Sequence, residues 1–266
     1  MDQITPVSRK PRSAGVSNIG QVRQSNQDTI LADDAAGLWL VADGMGGHAG
    51  GACASAIARD TIRDRFVEHG DLRQAVLDAH VAICASQLDN PEFNDMGTTV
   101  VALAERSASF EIVWVGDSRA YRFSRQSYAL SPLTRDHNVA GMLVAAGALS
   151  PSEAARHPQR HVLTDCLGLT GEHEPRVGSM QDRWQPEEWI LLCSDGLTGE
   201  LDDAEIQQTL AAARDLESAQ QELLEKSLDA GAHDNVSLVL IAGPDQPEVE
   251  GQPRTRWPWP FRRRAL

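Results

Sequence analysis

Positive charge is scarce in this chain of 266 residues: 24 Lys and Arg stand against 38 Asp and Glu, a formal net charge of −14. Holding a phosphate backbone needs a basic face, so a nucleic-acid partner is not expected. No stretch approaches the ~18 apolar residues of a membrane span, which argues against a transmembrane segment. Residues 1–12 carry three basic side chains but no apolar run, so no secretory signal is expected. The four cysteines, Cys53, Cys84, Cys166 and Cys193, are far apart and form no CxxC pair. Neither a disulfide framework nor a zinc site is expected, and a reducing cytoplasm is the expected location. GxSxG, HExxH and P-loop patterns are missing too, which leaves serine-hydrolase, zincin and NTPase readings without support.

The chain is 41% hydrophobic and 23% charged, ordinary globular values that allow a sizeable core. Residues 1–12 are polar and read as a flexible N-terminus. From 243 to 266 the sequence turns rich in Pro, Trp and Arg and reads as a tail outside the fold. Its Trp257, Trp259 and Phe261, flanked by arginines, suit a membrane surface or a partner, or simple exposure to solvent. Between these ends, strand-like runs lie at 29–31, 38–42, 98–104, 110–116, 120–124, 189–193 and 236–241. Helical patterns lie at 50–66, 72–87, 202–211 and 215–229, with Asp71 placed to cap the second. Residues 136–165 read as broken helix with much exposed surface. Strands in groups joined by short connections, and helices in pairs, indicate an α+β fold with antiparallel sheet.

Four aspartates share one setting. Asp43, Asp117, Asp195 and Asp234 each adjoin an apolar strand, in a turn with Gly or Asn. A single aspartate there is ordinarily a turn former that caps nearby backbone N–H groups. Four of them at strand ends can converge, and converging carboxylates cannot all stay ionised without a cation. Oxygen ligands with few His or Cys nearby favour Mg²⁺ or Mn²⁺ over Zn²⁺. Carboxylates on two or more such ions suit hydrolysis of a phosphate ester by an activated water.

The glycine cluster from Gly44 to Gly51 satisfies a permissive GxGxxA spacing through Gly44, Gly46 and Ala49. A dinucleotide site is nevertheless disfavoured. Asp43 would face the pyrophosphate, and a second helix follows where a parallel strand is required. Glycines there do let backbone carbonyls approach a metal closely. Arg23, before the first clear strand, is either a surface charge or a fork for a phosphate dianion. His48 reads as a turn histidine, an acid or a ligand. Cys193 belongs to an apolar strand and reads as core.

Taken in order, seven blocks resemble the metal-dependent serine/threonine protein phosphatases, the protein phosphatase 2C family, in compact bacterial form. They are Ser17–Arg23 with Asn26-Gln27-Asp28, Val41–His48, Gly97-Thr98-Thr99, Gly116–Tyr121, Leu133–His137, Leu192–Leu197 and Asp234–Ser237. The resemblance spans residues 13–242, the expected catalytic domain. It implies a sandwich of two antiparallel sheets flanked by helix pairs, four layers in the order αββα, with a metal cluster at one end. By position, Asp43 matches a metal-bridging aspartate and Gly44 a carbonyl ligand. Asp195 and Asp234 match further ligands, and Asp117 matches a ligand of a third ion. Arg23 matches the substrate-phosphate arginine, and Asp28 a residue that orients water. Residues 139–165 match the variable flap beside the site.

The resemblance further implies about two to three Mn²⁺ or Mg²⁺ ions per chain acting on water and phosphate. It implies phosphoserine and phosphothreonine proteins as substrates, opposition to a serine/threonine kinase in bacterial signalling, and a monomer. A non-catalytic phosphoprotein-binding module and a hydrolase of small phosphate esters are the rivals. Three positions depart from the family pattern. Gln27 stands where many members have Glu and supplies no negative charge. Ala52 stands where bacterial relatives often have Glu, and Cys166 stands where many have Ala. His48 does not align with the histidine proposed as general acid in animal members.

Overall fold

Every strand pairing among the described residues is antiparallel. The computed structural model of the chain describes residues 12–46, 49–169 and 174–244. Its strands are β1 (Ser13–Asn18), β2 (Asp28–Asp33), β3 (Leu38–Met45), β4 (Gly97–Thr98), β5 (Val100–Arg106), β6 (Ser109–Val115), β7 (Arg119–Ser124), β8 (Leu130–Pro132), β9 (Gly178–Arg183), β10 (Glu188–Cys193) and β11 (Val236–Ala242). Its helices are α1 (Gly50–His69), α2 (Leu72–Asp89), α3 (Val139–Ala145), α4 (Pro151–Ala154), α5 (Asp195–Thr198), α6 (Asp203–Ala212) and α7 (Leu216–Ala230). One sheet runs β1-β11-β10-β7-β8; the other runs β2-β3-β5-β6-β9, with β4 paired to β3.

The alternation of side chains along a strand explains the layers. On β3, Leu38, Leu40 and Ala42 pack toward α1 and α2, while Trp39 and Val41 enter the core between the sheets. On β11, Val236, Leu238 and Leu240 pack among α6 and α7, while Val239 and Ile241 face the other sheet. Strands covered on both faces need apolar residues at every position, which is why these runs are continuous. Three apolar layers between four layers of structure give the expected αββα sandwich. Trp39 is completely buried between the sheets, and its loss to Ala carries the ~3–5 kcal/mol typical of a large core deletion.

The helix starts are chemically explicit. Asp71 accepts from the Gln74 backbone N–H ahead of α2, as its position in the sequence predicts. Asp202 and Glu205 form a reciprocal capping box at α6. Strands β1, β8 and β9 and the short α5 were not anticipated. The span 139–165 holds only α3 and α4, separated by turns. Expectations for residues 1–11, Gly47, His48 and residues 245–266 lie outside the described residues. The ends of the two expected tails are anchored. Arg12 makes a two-pronged ion pair with Glu105 at 2.7 and 2.9 Å, and the Gly243 N–H donates to the Glu188 carbonyl.

β1 and β11 pair from Ser13↔Ile241 to Asn18↔Val236. Asp234 therefore lies at one end of the sandwich, and Arg12 and Gly243 lie together at the other.

Candidate active site

Five segments deliver aspartates to the same end of the sandwich. Asp28 opens β2 and is the register partner of Asp43 on β3. Asp43 thus lies inside a strand rather than in the turn read from the sequence, because β3 continues through Met45. Asp117 sits in the β6–β7 turn, Asp195 in the first turn of α5, and Asp234 just before β11. Asp43, Asp117, Asp195 and Asp234 line one open cavity of ≈ 880 Å³, with Gln27, Gly44 and Arg23. Asp28 is buried behind this wall. Its Oδ2 accepts from the Ser194 hydroxyl at 2.9 Å, and its Oδ1 is buried with no hydrogen-bond partner.

The crowding shows in the proton affinities. Burial, then Asp28, Asp195, Asp117 and Asp234 in that order, push the Asp43 carboxyl well above its ordinary range. Burial, opposed by the neighbouring Ser237 and Ser194 hydroxyls, leaves Asp28 at about 7. Burial and then Asp195 raise Asp117 to about 7. Two side chains at the rim temper this excess. Arg23 Nη2 lies 2.6 Å from Asp234 Oδ2, and that bond raises the guanidinium's own pKa. His161, between α4 and β9, sits with Nδ1 3.6 Å from Asp195 Oδ2, and Asp195 raises its pKa.

The backbone around Asp43 is tied down by the Gly97-Thr98-Thr99 block. The Thr98 hydroxyl and Thr99 N–H both donate to the Asp43 carbonyl, at 2.9 and 2.8 Å. Thr99 Oγ1 in turn lies 2.7 Å from the Ser118 hydroxyl. Gly44 has no room for a side chain: a Cβ would run into the Gly51 and Gln27 carbonyls. The Leu133–His137 block braces the Asp117 turn from behind. Arg119 holds Asp136 with two bonds at 2.9 and 2.8 Å. The Gly116 N–H donates to His137 Nδ1, and the His137 N–H donates to the Gly116 carbonyl.

These residues suit hard divalent ions in donor chemistry: carboxylate oxygens, the Gly44 backbone in the cavity wall and an unpartnered buried oxygen on Asp28. Among the described residues no trio of Asp, Glu, His or Cys side chains is arranged as a ready-made metal site. Asp234 and Asp195 are engaged by Arg23 and His161 instead.

The family model for protein phosphatase 2C matches residues 14–231. The chain belongs to the protein phosphatase 2C family. It is 31% identical over 235 residues to the serine/threonine phosphatase Stp of Listeria monocytogenes, covering 84% of this chain and 92% of that protein. The Ser-Thr phosphatase MsPP of Mycobacterium smegmatis, solved with cacodylate, superposes with a TM-score of 0.78 at 36% identity, covering 86% of this chain and 97% of that one. The catalytic domain of the phosphatase PstP, solved with two manganese ions, superposes at 0.74 with 31% identity, covering 87% and 97%. The family is metal-dependent.

Four aspartates of the cavity wall stand out in the sequence, but other parts of the wall do not. Arg160, His161, Glu200 and His233 also line the cavity. Nothing in the local pattern marks His161, which lies in an irregular, polar stretch. Cys193 packs between its sheet and the α6–α7 pair as expected, with burial pushing its thiol up to about 12.

Proposed function

We propose that the cavity hydrolyses phosphoserine and phosphothreonine in proteins, with the aspartates as its ion-holding wall and Arg23 as its phosphate clamp. The chain is a phosphoprotein phosphatase by family, a phosphoric monoester hydrolase. The observation that carries the site reading is the gathering of Asp43, Asp117, Asp195 and Asp234 around one cavity with Arg23 at its rim.

In this reading Asp43, the Gly44 carbonyl, Asp195 and Asp234 would hold two ions. Asp117 and Asp195 would hold a third. Mn²⁺ or Mg²⁺ bound there supplies Lewis-acid stabilisation of the phosphoryl group and a water acidic enough to attack near neutral pH. The protein's own contribution is positional. Arg23 presents a planar fork to the equatorial phosphate oxygens, the group best matched to a dianion. Thr98 and Thr99 fix the backbone that carries Asp43. Asp28, through its unpartnered Oδ1, orients water at the back of the cavity, and Gln27 flanks it.

Residues 13–242 form the catalytic domain in this reading, with 139–165 as the flap. The natural substrates are phosphoproteins, among them a cognate kinase or its targets, and the chain works as a cytoplasmic monomer. Among the described residues no helix is long and apolar enough to cross a membrane. The test is turnover of a phosphothreonine peptide by the purified chain with Mn²⁺, Mg²⁺ or EDTA. Turnover that requires the divalent ion and disappears with EDTA is expected. A folded protein inert with both metals would overturn the reading.

A further inference from the structure

The loop between β1 and β2, residues 19–27, carries Arg23 and contains no regular secondary structure. Arg23's own side chain is half exposed, and it bonds to Asp234. Something other than the arginine must therefore fix where it stands. The buried side chain that touches both flanks of the loop is Asn235, only 4% exposed. Its Nδ2 donates to the Ile19 carbonyl at 2.8 Å and to the Ser25 carbonyl at 3.1 Å. Its Oδ1 accepts from the Gln27 N–H at 2.8 Å. One amide thus uses both donors and its acceptor on backbone groups that bracket Arg23 on either side.

The rest of the contact reinforces the same seam. The Gln21 N–H donates to the Ala232 carbonyl at 3.0 Å, and Gln21 Nε2 donates to the Leu228 carbonyl at 2.8 Å. Gly20 has φ +78°, and a Cβ there would collide with the Asp234 and Ala232 carbonyls. The loop is moulded onto the turn before β11, and Asn235 is its central buried tie.

We infer that Asn235 is a positioning residue for substrate binding: it sets the β1–β2 loop so that Arg23 meets the phosphate of the phosphopeptide. This rests on the reading of Arg23 as phosphate clamp. Asparagine is the fitting residue here. Aspartate would set an anionic oxygen against two carbonyls, and leucine would leave three backbone groups without partners.

The experiment is a double-mutant cycle on a phosphothreonine peptide at saturating Mn²⁺, with Asn235→Ala, Arg23→Ala and both together. Asn235→Ala should raise KM by about tenfold and change kcat far less, the signature of lost ground-state binding. In the Arg23→Ala background the same change should add little, because residues that act through one another are not additive. The Mn²⁺ concentration for half-maximal activity should stay near wild type, since Asp234 is contacted by the Asn235 backbone N–H rather than its side chain. Should Asn235→Ala fail to fold, Asn235→Ser keeps one donor and one acceptor and should show an intermediate KM. A folded Asn235 variant with wild-type KM overturns the inference, as does full multiplication of the two effects or a shift confined to the metal requirement. If Arg23→Ala itself leaves KM unchanged, the clamp reading fails first and the inference falls with it; a raised KM in Arg23→Ala beside an inert Asn235→Ala removes the inference alone.

Discussion

Glu188, Asp136 and Asp165 keep different company from Asp28, Asp43 and Asp117, although all six are buried or half-buried carboxylates in one molecule. Glu188 pairs with Arg122, Asp136 with Arg119, and Asp165 with Arg176. Burial alone would raise the Asp165 carboxyl, yet the bonds from Arg176 outweigh it and hold it below its ordinary range; at the more deeply buried Glu188, burial prevails over Arg122 and the carboxyl is raised. Among the described residues no Arg, Lys or His forms an ion pair with Asp28, Asp43 or Asp117, and all three are raised. The difference separates two uses of buried charge. Acids that brace the fold each pair with an arginine of the chain, whereas these three acids at the cavity have no ion-pair partner among the described residues.

The comparison breaks most sharply at the cavity. Asp43→Asn and Asp195→Ala should each lower kcat on a phosphopeptide by about a thousandfold, as expected when a group serving the developing charge is removed. Circular dichroism should show an intact fold. In EDTA, Asp43→Asn should melt higher than wild type, because it removes a buried carboxyl that is crowded by four others and has no ion-pair partner of its own. Wild-type turnover by Asp195→Ala at saturating Mn²⁺ would refute the site assignment.

The bracing acids should behave in the opposite way. Arg122→Met strands Glu188, which is 2% exposed, and should cost about 3–5 kcal/mol in urea unfolding. The kcat of the folded fraction should stay close to wild type. Equal stability for this variant would erase the distinction between the two sets.

Arg23 bridges them, being a cation at the cavity itself. Arg23→Ala should raise KM by about tenfold with a smaller effect on kcat, the scale of one charge-assisted hydrogen bond to phosphate. An unchanged KM would remove its clamp role.

The smallest effect is on pH. Asp28 and Asp117 have folded pKa values of about 7 against an ordinary 3.8. The native state then binds more protons than the unfolded chain between these values, so stability falls as pH rises across that window. The contribution is fully present below about pH 4 and lost above about pH 7. Melting in EDTA should therefore drop by several degrees between pH 5 and 8, and Mn²⁺ should flatten the slope. A rise with pH would contradict the unpaired state of these acids.

The same contrast explains what could be read from sequence. β3, β5, β6, β10 and β11 are continuous apolar runs because both faces are covered, and each was legible. β1 (SAGVSN) and β9 (GSMQDR) are edge strands with one dry side at most, and their composition resembles loop. The short, half-exposed β8 carries no periodicity at all. The cavity aspartates were legible because each adjoins an apolar run. Their convergence was an expectation that only strand register could test, as the pairing Asp28↔Asp43 does. His161 and Glu200 could not be found, since they reach the cavity through irregular segments whose path depends on tertiary packing. Thr98 and Thr99 were visible as a block, but their grip on the Asp43 carbonyl spans 55 residues of sequence.

The order of the β1-β11-β10-β7-β8 sheet has a consequence for how the protein comes into being. β11, the last strand to be synthesised, is not an edge but an inner strand, inserted between the first strand and β10. Until it arrives, β1 has no neighbour in its sheet among the described strands, and the turn that carries Asp234 and Asn235 is not held against the Arg23 loop. A ribosome-bound chain that ends before Val236 can build the α1–α2 layer and the sheet beneath it, yet it lacks one wall of the cavity. Pairing between first and last strands is a contact of the greatest sequence separation and is slow to close, so the cavity wall is complete only once that pairing has formed.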